Sequence, residues 1–301
     1  MQARVYKSTG TWYQLVTTDG SKISARLKGR LKIEGITSTN PIAVGDWVDV
    51  ERDENDVVIT AIHERTNYIN RISPHNRNLH HIVAANLDQS VLFATLKEPR
   101  TSTGFIDRFL VVCEAYHIPA VLVFNKIDLY KQKDFEKLEW ITEMYRKIGY
   151  KVIHTSVEAK LGLEELLSHL KDKTSLLSGH SGVGKSSFIN YIFPNLEIKT
   201  QDVSEWSGKG MHTTTFAEMY DLPFGGSVID TPGIREMGLV NISKQELSHY
   251  FPEMCRLLHG CKFNNCLHLN ETECAIKNEV GREIHEERYI NYLKILDTMR
   301  E

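Results

Sequence analysis

Gly179, Gly184, Lys185 and Ser186 stand in the spacing G-x-x-x-x-G-K-[ST]. That pattern does one kind of chemistry well. Glycines let a loop curl until its backbone N–H groups face phosphate oxygens, the lysine adds a fixed cation, and the hydroxyl ligates a magnesium ion. The whole loop, Gly179, His180, Ser181, Gly182, Val183, Gly184, Lys185, Ser186 and Ser187, is therefore expected to hold the phosphates of a nucleotide. Lys185 is expected to bridge β- and γ-phosphates and Ser186 to contact Mg²⁺. Downstream run Asp230, Thr231, Pro232 and Gly233. An aspartate at a strand end suits the second Mg²⁺ contact, and Gly233 can bring its N–H to a γ-phosphate.

Asn125, Lys126, Ile127 and Asp128 resemble the guanine-specificity motif of GTPases. A carboxylate at Asp128 can accept hydrogen bonds from guanine N1–H and its exocyclic amine, a pair that adenine does not present. Lys126 is expected to cover the base and Asn125 to tether loops. Thr155, Ser156 and Val157 occupy the place where such GTPases carry a Ser-Ala pair against guanine, and Val157 departs from that pattern. The order is the distinguishing feature. An ordinary GTPase runs phosphate loop, switch, D-x-x-G, N-K-x-D, whereas here N-K-x-D precedes the phosphate loop. Circular permutation of this kind keeps the spatial arrangement when the old termini lie close together. The chain then leaves the GTPase core just after Gly233, so movement there can pass into whatever follows.

Residues 200–215 are rich in Ser, Gly and Thr, as a switch would be. Thr213 and Thr214 are both candidates to close on Mg²⁺ and the γ-phosphate, and the sequence does not choose between them. Ile234 stands where many GTPases place a glutamine that orients water, and isoleucine has no donor or acceptor. Intrinsic turnover is expected to be slow. His212 can relay a proton near neutral pH, though a solvated loop histidine is an equal reading of that residue alone.

Cys261, Cys266, His268 and Cys274 fall within fourteen residues in the spacing C-x4-C-x-H-x5-C. Thiolates with one imidazole favour tetrahedral Zn²⁺, and a closed four-ligand site is structural. Cys255 and His259 lie near enough to substitute for a ligand. Cys113 reads as a buried apolar residue of a helix.

The elements that must position these groups fall in three zones. Residues 1–66 carry short alternating segments, Thr11–Val16, Ile23–Leu27, Asp46–Val50 and Val57–Ile62, with turn residues between them. That predicts an OB-like barrel. It holds nine basic and nine acidic residues, yet Lys22, Arg26, Lys28, Arg30 and Lys32 follow one another without an intervening acid. RNA contact and a solvated charged loop are both open readings of that stretch. Residues 67–242 alternate strand and helix: strand 90–95, helix 105–117, strand 120–124, helix 134–148, strand 151–155, helix 162–170, strand 174–178, helix 185–192 and strand 227–230. This predicts a doubly wound, mostly parallel sheet with ligands at the carboxyl ends of its strands. Residues 243–301 read as helical and metal-binding, with a capping box at Ser243 and Glu246 opening one helix and a long charged helix over 276–299. The expected class is multidomain α/β.

Composition sets outer limits. The chain has 301 residues, 41% hydrophobic and 25% charged, with a net charge of -3. That balance does not advertise nucleic acid as a partner, although a local patch can still bind it. The amino terminus lacks the apolar run of a signal peptide, and no stretch approaches the ~18 apolar residues of a membrane span. A cytoplasmic protein with free thiols and no membrane association is expected. Nothing demands more than a monomer.

Together these parts resemble the RsgA family, also called YjeQ or YloQ, across essentially the whole chain. The likeness rests on the β-rich start with Val44-Gly45-Asp46-Trp47-Val48, the permuted order, the phosphate loop, His212-Thr213-Thr214-Thr215, Asp230 to Gly233, and the cysteine spacing. The resemblance implies an amino-terminal OB-fold, a central GTPase using GTP, GDP and Mg²⁺, and a carboxy-terminal domain with one structural Zn²⁺. It implies binding to the small ribosomal subunit and its rRNA in late maturation, with hydrolysis stimulated by that subunit, and it adds weight to His212 as a catalytic contributor. Three readings compete. A permuted GTPase of another ribosomal particle would lack the barrel and the cysteine knot. A nucleotide-gated RNA scaffold would hardly turn over. A P-loop ATPase is disfavoured by Asp128.

Overall fold

The computed structural model describes residues 1–27, 41–53, 56–72, 80–195, 217–231, 239 and 242–299. Lys28, Arg30, Lys32, His212, Thr213, Thr214, Gly233 and Ile234 lie outside the described residues.

Alternation builds the first unit. Strands β1 (Gln2–Ser8), β2 (Trp12–Thr17), β3 (Lys22–Leu27), β4 (Trp47–Asp53) and β5 (Asp56–Ile62) run in the order β1-β2-β3-β5-β4. Pairing of β1 with β4 closes them into a five-stranded barrel. Every second residue, among them Ala3, Val5, Tyr13, Leu15, Val48 and Val50, turns inward onto one apolar core. β1 was absent from the sequence expectation, although its register places Ala3 opposite both Thr17 and Val48 and so completes the closure. A hairpin of β6 (Tyr68–Ile72) and β7 (His80–Ala85) follows.

The rhythm then changes. β8 (Gln89–Ala94), α1 (Thr103–Ala115), β9 (Ala120–Phe124), α2 (Gln132–Ile148), β10 (Lys151–His154), α3 (Leu163–Leu170), β11 (Thr174–Ser178), α4 (Lys185–Ile192), β12 (Glu218–Asp221) and β13 (Ser227–Asp230) follow in turn. Strands β10-β9-β8-β11-β13 lie side by side and parallel. Their residues are apolar on both faces because helices cover both. Leu92 and Ala94 of β8 pack with Ile106, Phe109, Leu138 and Ile141 of α1 and α2. Val91 and Phe93 pack with Leu163, Leu166, Phe188 and Ile189 of α3 and α4. The order reverses between β8 and β11, which makes the crevice at their carboxyl ends the natural ligand position of such a sheet.

β12 is antiparallel to β13 and joins the sheet to the barrel, where Lys7 faces Glu218. The two side chains pair at 2.7 Å, and Tyr6 Oη donates to Asp221 at 2.6 Å. The carboxy-terminal segment holds α5 (Pro252–Cys255), α6 (Ala275–Asn278) and α7 (Glu286–Thr298). Its apolar residues Leu247, Phe251, Ile276, Tyr292 and Ile295 gather against Val111 of α1.

Two helical expectations need correction. Ser243 and Glu246 do bond reciprocally, Ser243 N–H to Glu246 at 2.9 Å and Glu246 N–H to Ser243 Oγ at 3.3 Å, but the box leads into a 3-10 turn over Leu247–Tyr250. The helix expected over 276–299 is two. α6 stops at Asn278, Gly281 adopts φ 82, and α7 restarts at Glu286 with His285 accepting from the Glu287 N–H at its cap. Among the described residues no helix is long and apolar enough to cross a membrane.

Candidate functional site

Each loop at the carboxyl edge of the sheet is built around a constraint visible in its residues. After β11 the chain turns through Gly179 at φ 137, where an added Cβ would come within 2.3 Å of the Phe93 carbonyl on β8. Only glycine allows that approach. Val183 buries its side chain in the sheet core, and Gly184 caps α4 at φ 101. Ser186 sits in the first turn of that helix, where backbone N–H groups and the helix dipole favour an anion. Ser181 and Ser187 are exposed. Lys185 is half-buried, and its Nζ donates to the carbonyls of Gly179 at 2.6 Å and His180 at 3.0 Å. Burial pushes the Lys185 ammonium below its usual range, against the pull of Asp230.

Asp230 ends β13 beside that loop and is buried. Burial pushes its carboxyl up, with the Lys185 charge opposing. Among the described residues its Oδ1 has no hydrogen-bond partner. A buried carboxylate oxygen that lacks a donor among the described residues, close enough to Lys185 to feel its charge, suits a hard cation that prefers oxygen ligands.

Asn125 joins two of the loops. Its Nδ2 donates to Val183 O at 2.9 Å, while its Oδ1 accepts from Thr155 Oγ1 at 3.1 Å and Val157 N–H at 3.3 Å. Val157 thus contributes a backbone contact that its side-chain type does not affect. Lys126 follows in the left-handed region at φ 61, and its Nζ donates to Glu98 O at 2.7 Å. Asp128 is exposed and accepts from Ser156 Oγ, which in turn accepts from Ala159 N–H at 3.0 Å. Sequence reasoning missed Tyr130, whose hydroxyl donates to Asn125 O at 3.1 Å and accepts from Leu96 N–H at 2.8 Å. Burial pushes its phenol up to about 12, so it stays a donor. No local signal marks a tyrosine for that role.

A second cluster lies in the carboxy-terminal segment. Donor atoms of Cys261, Cys266, His268 and Cys274 all lie within 4.8 Å of one another. His268 Nδ1 stands 3.8 Å from Cys261 Sγ and 3.4 Å from Cys274 Sγ. A tetrahedral zinc with bonds of about 2.3 Å to sulfur and about 2.0 Å to nitrogen requires N···S edges of about 3.5 Å, so the four residues fit that ion. Cys255 and His259 stay exposed and outside the cluster, and Cys113 is fully buried on α1. Burial pushes the Cys266 thiol up to about 12, so metal uptake must release protons. α7 holds the ligand loop, Tyr289 donating to His268 O at 2.6 Å and Tyr292 to Leu267 O at 2.9 Å.

Residues 62–240 match the family described as RsgA GTPase, and residues 2–59 the RsgA N-terminal domain. The chain belongs to the RsgA GTPase family. A small ribosomal subunit biogenesis GTPase RsgA of Flavobacterium psychrophilum is 50% identical over 99% of this chain and 93% of its own. One from Cytophaga hutchinsonii is 50% identical over 98% of each. Among solved structures, YjeQ from Thermotoga maritima superposes with a TM-score of 0.80 at 34% identity over 99% of each chain. YloQ, a circularly permuted GTPase, does so with a TM-score of 0.75 at 30% identity over 100% of this chain and 96% of its own. The permuted RsgA core explains why base loop and phosphate loop meet despite their reversed order.

The meeting point is sterically tight. A Cβ at Gly184 would lie 2.2 Å from Asn125 Nδ2, in a backbone conformation that costs side-chain-bearing residues about 1–2 kcal/mol. Gly184→Ala is therefore expected to lower stability by about 2 kcal/mol or more. Calorimetry would read this as a fall of about 4–8 °C in the GTPase transition. An unchanged transition would mean that the Asn125 tether is slack.

Proposed function

We propose that this chain hydrolyses GTP at the crevice between β8 and β11 and couples hydrolysis to biogenesis of the small ribosomal subunit. The observation that carries the first half is the Asn125 side chain, which ties the phosphate loop to the base loop and so fixes their spacing for one nucleotide. The second half rests on the name shared by relatives that match nearly the whole chain. In this reading the loop from Gly179 to Ser187 holds the phosphates, and Asp128, Lys126, Ser156 and Val157 surround guanine. Ser186 and Asp230 take Mg²⁺, which neutralises charge on the β- and γ-phosphates. Thr213 or Thr214, with Gly233, senses the γ-phosphate, and His212 serves the water that Ile234 cannot orient. The chain divides at 1–66, 67–242 and 243–301, and Cys261, Cys266, His268 and Cys274 hold one zinc. Lys22 and Arg26 are exposed on β3, Arg26 pairing with Asp56 at 2.8 Å, and in this reading they contact rRNA together with Lys28, Arg30 and Lys32.

The deciding experiment is GTP turnover by the purified protein alone, with small ribosomal subunits, and with large ones. Slow turnover that rises sharply with small subunits only is the expected result. Equal turnover in all three mixtures would overturn the ribosomal half. Zinc is tested separately. Cys266→Ser should drop metal content from about one equivalent per chain to well below half and expose residues after 243 to protease. Full metal content in that variant would rule out the four-residue site.

A further inference from the structure

We propose that Phe105, at the start of α1, is a positioning residue for the reaction: its ring braces the phosphate loop through His180 and holds the loop shaped before nucleotide arrives. This deepens the reading that the loop binds GTP phosphates and rests on it. The Phe105 and His180 ring centroids are 3.9 Å apart at 33°, the closest aromatic pair among the described residues. His180 is the second residue of a loop that is otherwise mostly glycine and serine, so it offers one of the few side chains by which the loop can be gripped. The far end of the loop is held by Val183 in the core and by Asn125 on the Val183 carbonyl. The near end lies against β8, where Gly179 approaches Phe93. His180 lies next to that near end, and its carbonyl also accepts from Lys185 Nζ at 3.0 Å. A shift of the ring would therefore move the backbone against which Lys185 rests.

Phe105 can act as a brace because it packs against the core and the start of its helix is bonded in place. Its N–H donates to the capping Ser102 Oγ at 3.2 Å. Two residues on, Asp107 is fully buried and bonded to Arg288 at 2.6 Å, Tyr145 at 2.7 Å and Asn291 at 2.7 Å. The start of α1 is thus pinned to α2 and α7. Bracing lowers the ordering cost of binding and leaves the chemical step alone.

The test is GDP affinity, read with a fluorescent GDP analogue, together with KM and kcat for GTP. Phe105→Leu should weaken GDP by about threefold to tenfold, raise KM by the same factor and leave kcat within about twofold. Phe105→Tyr should restore wild-type values, because it keeps the stacked ring. His180→Ala should show the same loss, and the double variant no more than either single one. Wild-type affinity in Phe105→Leu, failure of tyrosine to rescue, or additive losses would each overturn the proposal. If the leucine variant fails to fold, His180→Ala on the loop carries the same measurement. Lys185→Ala separates the two levels. If it binds GDP normally, the phosphate-loop reading fails as well. If it loses GDP while Phe105→Leu does not, only the brace fails.

Discussion

GTP turnover by Lys185→Ala is expected to fall about a hundredfold to a thousandfold. The side chain brings a positive charge into a half-buried loop, where two carbonyls and the nearby Asp230 are what the structure offers it. Such a poorly solvated cation interacts far more strongly with developing phosphate charge than an exposed one. The variant should also reveal Asp230. Burial already raises that carboxyl, and the Lys185 ammonium is the charge that opposes the rise. Without it the ionised carboxylate is disfavoured further. A raised carboxyl in the folded state means stability is lost as pH climbs through its titration, because the folded protein holds the proton more tightly. The stability of Lys185→Ala relative to wild type should therefore be lowest at neutral pH and rise as pH falls into the acid range. Urea unfolding at both ends of that window measures it. Wild-type turnover in this variant would remove the Gly179–Ser186 loop from the reaction altogether.

What could be read in the sequence was what is local. Strands β8, β9 and β11 announced themselves as apolar runs, because a parallel sheet covered on both faces tolerates little else. The phosphate loop carried its strand, glycines and helix in one contiguous stretch. The cysteine spacing fixed a set of donors that the fold gathers within 4.8 Å. What escaped was non-local. β12 is four residues long, and its place depends on β1 and β13 lying on either side. α6 and α7 shared one polar, charged stretch, and the break at Gly281 is set by the Val280–Ile284 bridge. Phe105 looked like any apolar helix residue until His180, far along the chain, met it. The segment after Gly233 was expected to pass movement into the carboxy-terminal unit. That segment lies outside the described residues except for Leu239, which packs against both cores, and contacts between the parallel sheet's helices and the carboxy-terminal unit also run through α1 and α2, by way of Asp107, Tyr145, Ile148 and Arg288.

Arg288 carries the largest expected stability effect. It is fully buried, its Nη1 donating to Asp107 Oδ1 at 2.6 Å and its Nε to Glu253 Oε1 at 2.7 Å. The guanidinium lies 4.5 Å from the Phe251 ring centroid and 5.8 Å from that of Tyr145. Asp107 and Arg288 are 181 positions apart in sequence, so one buried pair clamps the carboxy-terminal unit onto the GTPase helices. A buried pair of this kind contributes little beyond an apolar equivalent, but removing one partner strands the other. Arg288→Met should cost about 3–5 kcal/mol, because two buried carboxylates lose their cation together. Burial already pushes Asp107 up against the pull of Arg288, so without that pull it should take a proton, and the loss should narrow at acid pH. Arg288→Lys should fall between, since a single ammonium cannot reproduce the separate Nη1 and Nε contacts. Replacing Asp107 by Asn and Glu253 by Gln in the methionine background should recover part of the loss, which distinguishes stranded charge from lost packing. α7 also bears Tyr289 and Tyr292, which hold the carbonyls of His268 and Leu267, so loosening it should speed metal release from the cysteine cluster. Chelator-driven zinc loss that is no faster in Arg288→Met than in wild type would show that the clamp and the metal loop are mechanically separate.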